Sequence, residues 1–250
     1  MPFTFSHPAL VLPATFLPKR FYSLTGLVAG SVVPDFEYFL RMSTRSDYSH
    51  TIPGMFWFDL PLGLVLAIIF HQIIRNPLID HLPFSIRSRF ADAREFHWMK
   101  YFRLNWFVVL VSVIVGTITH LFWDSFTHIN GYFVQAIPLM FTDIDLLGYP
   151  FTLYRFLQHL STVIGIILIA IAIYRMPKQI ERVKRPIFNF WMGAILISFA
   201  VVGLRTVLGH HHLFHHMNQL IVTGVTGGLV GLLIMSLTSR IYEFIFRKSL

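Results

Sequence analysis

The chain has 250 residues, of which 55% are hydrophobic and only 13% are charged, and its net charge is +8. Soluble domains carry about 25% charged residues, so this composition excludes a soluble globular protein and indicates an integral membrane protein. It leaves no soluble basic domain to bind nucleic acid. The absence of cysteine excludes disulfides, thiolate metal sites and cysteine nucleophiles. We expect residues 1–250 to form a single integral membrane domain.

The N-terminal region predicts buried structure rather than a membrane span. Residues 1–12 lack a basic leader and are interrupted by prolines, so they do not resemble a cleavable signal peptide. Residues 21–33 are apolar but shorter than the roughly 20 residues that cross a bilayer. We therefore predict a short buried or re-entrant helix that ends at Pro34.

Five later segments are apolar and long enough to cross a membrane. We therefore predict an all-α, polytopic membrane helix bundle with about five spanning helices and short buried or re-entrant helices before them. The predicted spans are 53–74, 104–123, 156–174, 188–208 and 219–239.

The distribution of basic residues predicts the orientation of these spans. Lysine and arginine collect in the loop after the first span, the loop after the third span and the C-terminal tail. The loop 125–154 contains neither residue but includes Asp143 and Asp145. Because basic loops stay in the cytoplasm, we predict a cytoplasmic C-terminus, with loop 125–154 and the N-terminus outside.

A histidine and aspartate motif follows the uncharged run 104–120. His120, Asp124 and His128 lie four residues apart, so on a helix they share one face. A carboxylate at a membrane boundary is costly unless another group pairs with it. A metal ion held by His120 and Asp124 would provide that partner, so the motif predicts a metal site.

Other candidate ligands fall on the same predicted membrane face. Asp35 follows Pro34 and is expected at the mouth of the preceding helix, and His50 follows a polar stretch just before the first span. His7 is expected in an extended segment that folds back over the site. Imidazole and carboxylate ligands suit Zn²⁺, Mn²⁺ or Fe²⁺, and the set could hold one or two ions with Asp124 bridging. The predicted metal ligands are His7, Asp35, His50, His120, Asp124 and His128.

The predicted catalytic residues are Asp124, Glu37 and His159. Glu37 is close to Asp35 in sequence and is a candidate general base. His159 opens the third predicted span, where it would contact substrate or hydrogen-bond to a metal ligand. His210 and His216 bound a histidine-rich turn in which some histidines are four residues apart. Metal delivery and a plain interfacial loop remain alternatives for this turn.

Five stretches of the chain carry a resemblance to a known family. They are MPFTFSHPA around His7, GSVVPDFEY around Asp35, SHT around His50, HLFWDSFTH from His120 to His128, and QHLST around His159. They resemble an uncharacterised bacterial membrane family named domain of unknown function 4184. More distantly, the order of histidines and aspartates is similar to that of membrane-bound metal-dependent hydrolases and zinc-dependent phospholipase C. That similarity implies that Asp35, His50 and His120 bind a first metal, that Asp124 bridges, that His7 takes the histidine position of a second metal, and that His128 stands for the first of the later ligands.

The expected function is that of a membrane-bound, metal-dependent hydrolase of lipid phosphoesters in the bacterial inner (cytoplasmic) membrane. Its site would face the extracytoplasmic side, its metal would be zinc, and its partner would be a membrane lipid or lipid-linked substrate. Arg205 is a candidate to hold a lipid phosphate. The glycines of the last span would allow close packing within the chain or in a homo-oligomer. Haem binding and metal or proton transport are the alternatives.

Overall fold

The computed structural model describes residues 3–146, 148–179, 186–208 and 217–247. The predicted histidine-rich turn 210–216 lies outside these residues. The chain divides into two compact units, each assembled from three separate stretches of sequence, and the single-domain expectation stays a prediction. The first unit contains Met1–Asp35, Tyr48–Val65 and Tyr101–Arg175, and the second contains Phe36–Asp47, Leu66–Lys100 and Met176–Leu250.

Helices make up most of the described chain. The helix Ile52–Asp80, here called α2, includes two π-helical turns, Met55–Asp59 and Phe70–Ile74. Short 3-10 segments cover Thr4–Phe16, Lys19–Phe21, Asp92–Arg94 and Pro138–Phe141. The α-helices are α1 (Leu24–Arg41), α2 (Ile52–Asp80), α3 (Phe84–Arg87), α4 (Trp98–Leu104), α5 (Trp106–Thr127), α6 (Tyr132–Ala136), α7 (Leu153–Arg175), α8 (Ile187–Val207) and α9 (Met217–Arg247).

The prediction of an all-α, polytopic membrane helix bundle with about five spanning helices is confirmed. Five helical segments among the described residues are long and apolar enough to cross a membrane, and each overlaps one predicted span. The chain is therefore a multi-pass membrane protein. The segments are Ile52–Asp80, Trp106–Ala136, Leu153–Arg175, Ile187–Val207 and Met217–Ile245.

A short β-hairpin within the loop 125–154 was not predicted. Strands β1 (Asp143–Leu146) and β2 (Tyr149–Thr152) pair antiparallel, with Asp143 opposite Thr152. Gly148 in the turn has a φ of 85°, a left-handed conformation that favours glycine.

The N-terminal segment is 3-10 helical over Thr4–Phe16, which corrects the prediction of an extended segment around His7. Proline fixes φ near −65°, a value that 3-10 backbone also adopts, so Pro8 and Pro13 fit within this helix. The segment is anchored on α7, where the Phe3 backbone N–H donates to the Thr162 hydroxyl at 3.1 Å. This anchoring places His7 inside the first unit.

Helix α1 continues through Pro34, so the prediction that it ends there with Asp35 at its mouth is wrong. Proline removes the N–H that would bond to the carbonyl four residues earlier, which belongs to Gly30. The hydroxyl of Thr117 on α5 lies 3.3 Å from that Gly30 oxygen and 3.1 Å from the Val113 carbonyl oxygen, so the two acceptors share its single hydrogen. This tertiary contact partly replaces the missing helical hydrogen bond, and Asp35 lies within the helix.

The first unit depends on a close approach between α1 and α5. A methyl group placed on Gly30 would overlap the Val113 carbonyl, and one placed on Gly116 would overlap the Leu27 carbonyl. The two backbones are in direct contact at these glycines. This contact brings Asp35 of α1 beside His120 and Asp124 of α5.

The second unit pairs α8 with α9 through small residues. A methyl group on Gly227 would crowd Ser198, and one on Gly231 would overlap the Ala194 backbone. The Ser198 hydroxyl also donates to the Gly224 carbonyl at 3.1 Å. These glycines therefore serve packing within the chain, while a homo-oligomer stays a prediction.

The orientation of the spans can be tested with reporter fusions. Ile144 follows the second span and Ser249 follows the fifth, so three spans separate them and they should lie on opposite sides. The basic loops predict that Ser249 is cytoplasmic. Green fluorescent protein should fluoresce when fused after Ser249, and alkaline phosphatase should be active when fused after Ile144. Signals from the same side of the membrane would contradict five spans.

Candidate metal centre

Four of the predicted ligands come together in the first unit. Asp35 comes from α1, His50 from the turn before α2, and His120 and Asp124 from successive turns of α5. Each residue contributes one ligand atom, and these four atoms all lie within 4.8 Å of one another. Asp35, His120 and Asp124 are buried. This group could bind a metal ion.

Four of the six separations between the donor atoms are close to those of a metal coordination sphere. The Nε2 atom of His120 lies 3.2 Å from Asp124 Oδ2 and 3.6 Å from Asp35 Oδ1. The Nε2 atom of His50 lies 3.6 Å from Asp124 Oδ2 and 3.7 Å from Asp35 Oδ1. Tetrahedral zinc with ligands at 2.0–2.1 Å requires donors about 3.3 Å apart, so these four separations need only small shifts. The separations between the two histidines and between the two aspartates are within 4.8 Å.

The hydrogen bonding of His120 points its second nitrogen at the carboxylates. Its Nδ1 lies 2.8 Å from the Ser31 carbonyl oxygen, which can only accept, so Nδ1 carries the hydrogen. The Nε2 lone pair of a neutral ring then faces Asp35 and Asp124, and that arrangement is repulsive. None of the three facing atoms makes a hydrogen bond within the described chain. A cation on Nε2, either a metal ion or a proton, removes the repulsion.

Thr4 is a functional residue that the sequence analysis missed. Its hydroxyl donates to Asp35 Oδ2 at 2.5 Å, and both side chains are buried. This bond occupies one carboxylate oxygen and leaves Oδ1 directed at the two imidazoles. The available signal was the position of Thr4 one 3-10 turn before His7, on the segment expected to cover the site.

His7 and His128 contact the other oxygen of Asp124. His7 Nε2 lies 3.1 Å and His128 Nδ1 lies 3.3 Å from Asp124 Oδ1. The His7 ring also stacks on His120 with centroids 4.0 Å apart. Burial, followed by the nearby His120 imidazole, lowers the pKa of His7 and favours its neutral form. Both histidines therefore contact the Asp124 carboxylate without belonging to the group of four. Their roles as ligands and the bridging role of Asp124 stay predictions.

Two predicted catalytic residues do not belong to this group. Glu37 is buried, and its carboxylate accepts from Arg41 Nε at 2.9 Å, the Asp47 backbone N–H at 2.9 Å and the Ser46 hydroxyl at 3.1 Å. His159 is exposed on α7, where its ring contacts Phe151. Their catalytic roles stay predictions.

His50 and His128 are the least buried side chains around the group of four. The side chain of His50 is 22% exposed, whereas those of Asp35 and His120 are almost fully buried. The side chain of His128 is 26% exposed. The Nε2 atoms of both histidines are nevertheless buried, as are the facing atoms of Asp35, His120 and Asp124.

Substitution of Thr4 tests whether its hydrogen bond to the Asp35 carboxylate supports metal binding. Thr4→Val keeps the shape but removes the donor to Asp35, so metal affinity should fall by about 10–100-fold, as for other residues that hydrogen-bond to ligands. Competition with a zinc-binding dye measures this change. Thr4→Ser keeps the hydroxyl and should bind metal like the wild type. Equal affinity in the valine and serine variants would contradict the assignment.

Arg205 belongs to the second unit. Its Nη1 donates to the Thr223 hydroxyl at 2.6 Å. Its predicted role in holding a lipid phosphate stays a prediction.

Comparison with known proteins identifies a family but no activity. A family model described as a domain of unknown function (DUF4184) matches residues 1–237. No curated protein and no solved structure matches the chain.

Proposed function

The chain belongs to the DUF4184 family, and we propose that it is a membrane-bound, metal-dependent hydrolase of lipid phosphoesters. The observation that carries the proposal is the buried group Asp35, His50, His120 and Asp124, whose four ligand atoms lie within 4.8 Å of one another. Imidazole and carboxylate donors without thiolate suit zinc, with Mn²⁺ and Fe²⁺ as competing occupants.

The residues of the group have different tasks in this proposal. The four side chains hold the ion, and His7 and His128 fix Asp124 through its second oxygen. Thr4 and the Ser31 carbonyl orient Asp35 and His120. A divalent ion in such a site supplies Lewis-acid polarisation of a phosphoryl oxygen and activation of water. His50 is the most exposed of the four side chains, so a substrate would reach the ion on its side after displacing the atoms that bury the ligand group.

The depth of the group in the membrane supports a lipid as the substrate. Asp124 lies in the last turn of α5, which ends at Thr127 after a long apolar run. The end of a spanning helix lies near the lipid headgroups, where the phosphoester bonds of lipids are found. Loop 125–154 lacks lysine and arginine, which supports an extracytoplasmic position.

The arrangement favours this proposal over the alternatives. Axial histidines of a haem face one another across the macrocycle, whereas two carboxylates lie beside the imidazoles here. A transport path requires ionisable groups through the depth of the bilayer. Residues 106–119 of α5 contain none.

Reconstituted protein tests the proposal. The full chain in liposomes should release phosphate or headgroup from at least one member of a panel containing phosphatidic acid, phosphatidylglycerol and lipid diphosphates. Chelation should abolish the release, and reloading with zinc should restore it. Release that is insensitive to chelation would contradict the proposal, as would inactivity of zinc-loaded protein across the whole panel.

A further inference from the structure

A polar cavity lies within the second unit, where the C-terminal part of α2 meets the start of α4 and the C-terminal part of α9. Its volume is about 360 Å³, within the range of small-molecule sites. Among the lining residues that the structure describes, Arg75, Arg94, Lys100 and Arg240 are cationic, and Glu95 is the single carboxylate. The cavity therefore carries an excess of positive charge.

Arg75 forms the buried part of this cavity. Its side chain donates to the Phe96 carbonyl at 2.7 Å, the Arg94 carbonyl at 3.0 Å and the Asn76 side-chain oxygen at 2.8 Å. The residue is only 8% exposed. None of these acceptors carries a charge, and within the described part of the chain no carboxylate forms an ion pair with the guanidinium. A buried cation without a neutralising charge costs free energy unless an anion binds beside it.

Arg240 adds a second cation beside Arg75, and the two charges repel each other. Its Nε donates to the Ile73 carbonyl at 2.9 Å, and its two terminal NH₂ groups make no hydrogen bond to the residues that the structure describes. Arg94 differs, because Asp80 pairs with it at 2.5 Å. Lys100 is exposed at the rim of the cavity.

We infer that this cavity binds a phosphate group, carried either by an anionic lipid headgroup or by a small soluble phosphate ester. A phosphate supplies the missing negative charge and accepts several hydrogen bonds, and arginine binds it in a two-pronged geometry. The predicted orientation places these ends of α2 and α9 on the cytoplasmic side, where anionic headgroups interact with basic pockets between spanning helices. The inference is independent of the proposed hydrolase.

Substitution of Arg240 tests the inference in the full chain. Chelator-treated protein in phosphatidylcholine nanodiscs is titrated with glycerol 3-phosphate, and its apparent melting temperature is followed. In parallel, native mass spectrometry counts the phosphatidylglycerol and phosphatidic acid that remain bound in mixed nanodiscs. Arg240→Gln should weaken binding about tenfold or more, because a charge-assisted hydrogen bond is lost. Arg175→Gln removes an exposed cation outside the cavity and is the matched control.

The two arms of the experiment distinguish the sources of the phosphate. Stabilisation by glycerol 3-phosphate that Arg240→Gln removes would identify a soluble ester. Lipid retention that Arg240→Gln reduces, without an effect of the soluble ester, would identify a headgroup. Binding unchanged by Arg240→Gln, or reduced equally by Arg175→Gln, would overturn the inference. If Arg240→Gln does not fold, Lys100→Gln at the exposed rim carries the same test.

Discussion

Asp124→Asn should abolish metal retention and lipid hydrolysis while leaving the protein folded. The amide keeps the size of the side chain, but it loses the charge that Oδ2 presents to His120 and His50 and that Oδ1 presents to His7 and His128. Zinc affinity should fall by more than the roughly 100-fold expected for residues that only support a ligand. Zinc competition and turnover on reconstituted protein measure the two losses.

The same substitution at an exposed aspartate provides the control. Asp143 lies on the β-hairpin, where it accepts from the Thr152 hydroxyl at 3.0 Å. Asp143→Asn should retain metal and turnover. An Asp124→Asn variant that binds zinc as tightly as Asp143→Asn would show that Asp124 is not a ligand.

Gly116→Ala should destabilise the protein and weaken the metal site together. The added methyl group would meet the Leu27 carbonyl and approach the Ser31 nitrogen of α1, and backbone atoms cannot move aside as a flexible side chain can. Overpacking typically costs about 1–3 kcal/mol, and this contact belongs at the upper end of that range. Pushing α1 away from α5 would also separate Asp35 from His120. The apparent melting temperature and zinc affinity should both fall.

Gly228→Ala is the matched control in a helix of the second unit. A methyl group at Gly228 would meet no atom within 4 Å among the described residues. Because alanine is the better helix former, its effect should be neutral or slightly stabilising. If Gly116→Ala and Gly228→Ala melted at the same temperature and bound zinc equally, close packing of α1 on α5 would not support the site.

Local patterns in the sequence were sufficient to predict the spans and the central pair of the site. Long apolar runs depend only on composition, so the spanning helices were recognisable. The four-residue spacing of His120 and Asp124 places both on one face of any helix, and the structure has them on adjacent turns of α5. Asp35 and His50 were recognised because the predicted topology places them on the same membrane face as His120 and Asp124.

Features that depend on distant residues were not predictable in this way. Pro34 would ordinarily end a helix, but α1 continues because Thr117, far along the chain, supplies a hydrogen bond to Gly30. The contact between Thr4 and Asp35 likewise depends on how the N-terminal segment packs. Such contacts exist only after tertiary folding, so a periodicity or a helix-breaking rule cannot reveal them.

The metal content of the purified full chain tests the central claim most directly. Elemental analysis after zinc reloading and removal of free ions should find a stoichiometric divalent metal, with zinc as the main species. A His120→Ala/Asp124→Ala variant that remains folded should retain almost none. A wild-type protein without stoichiometric metal, or a double variant that retains as much as the wild type, would contradict the assignment of Asp35, His50, His120 and Asp124 as a metal centre.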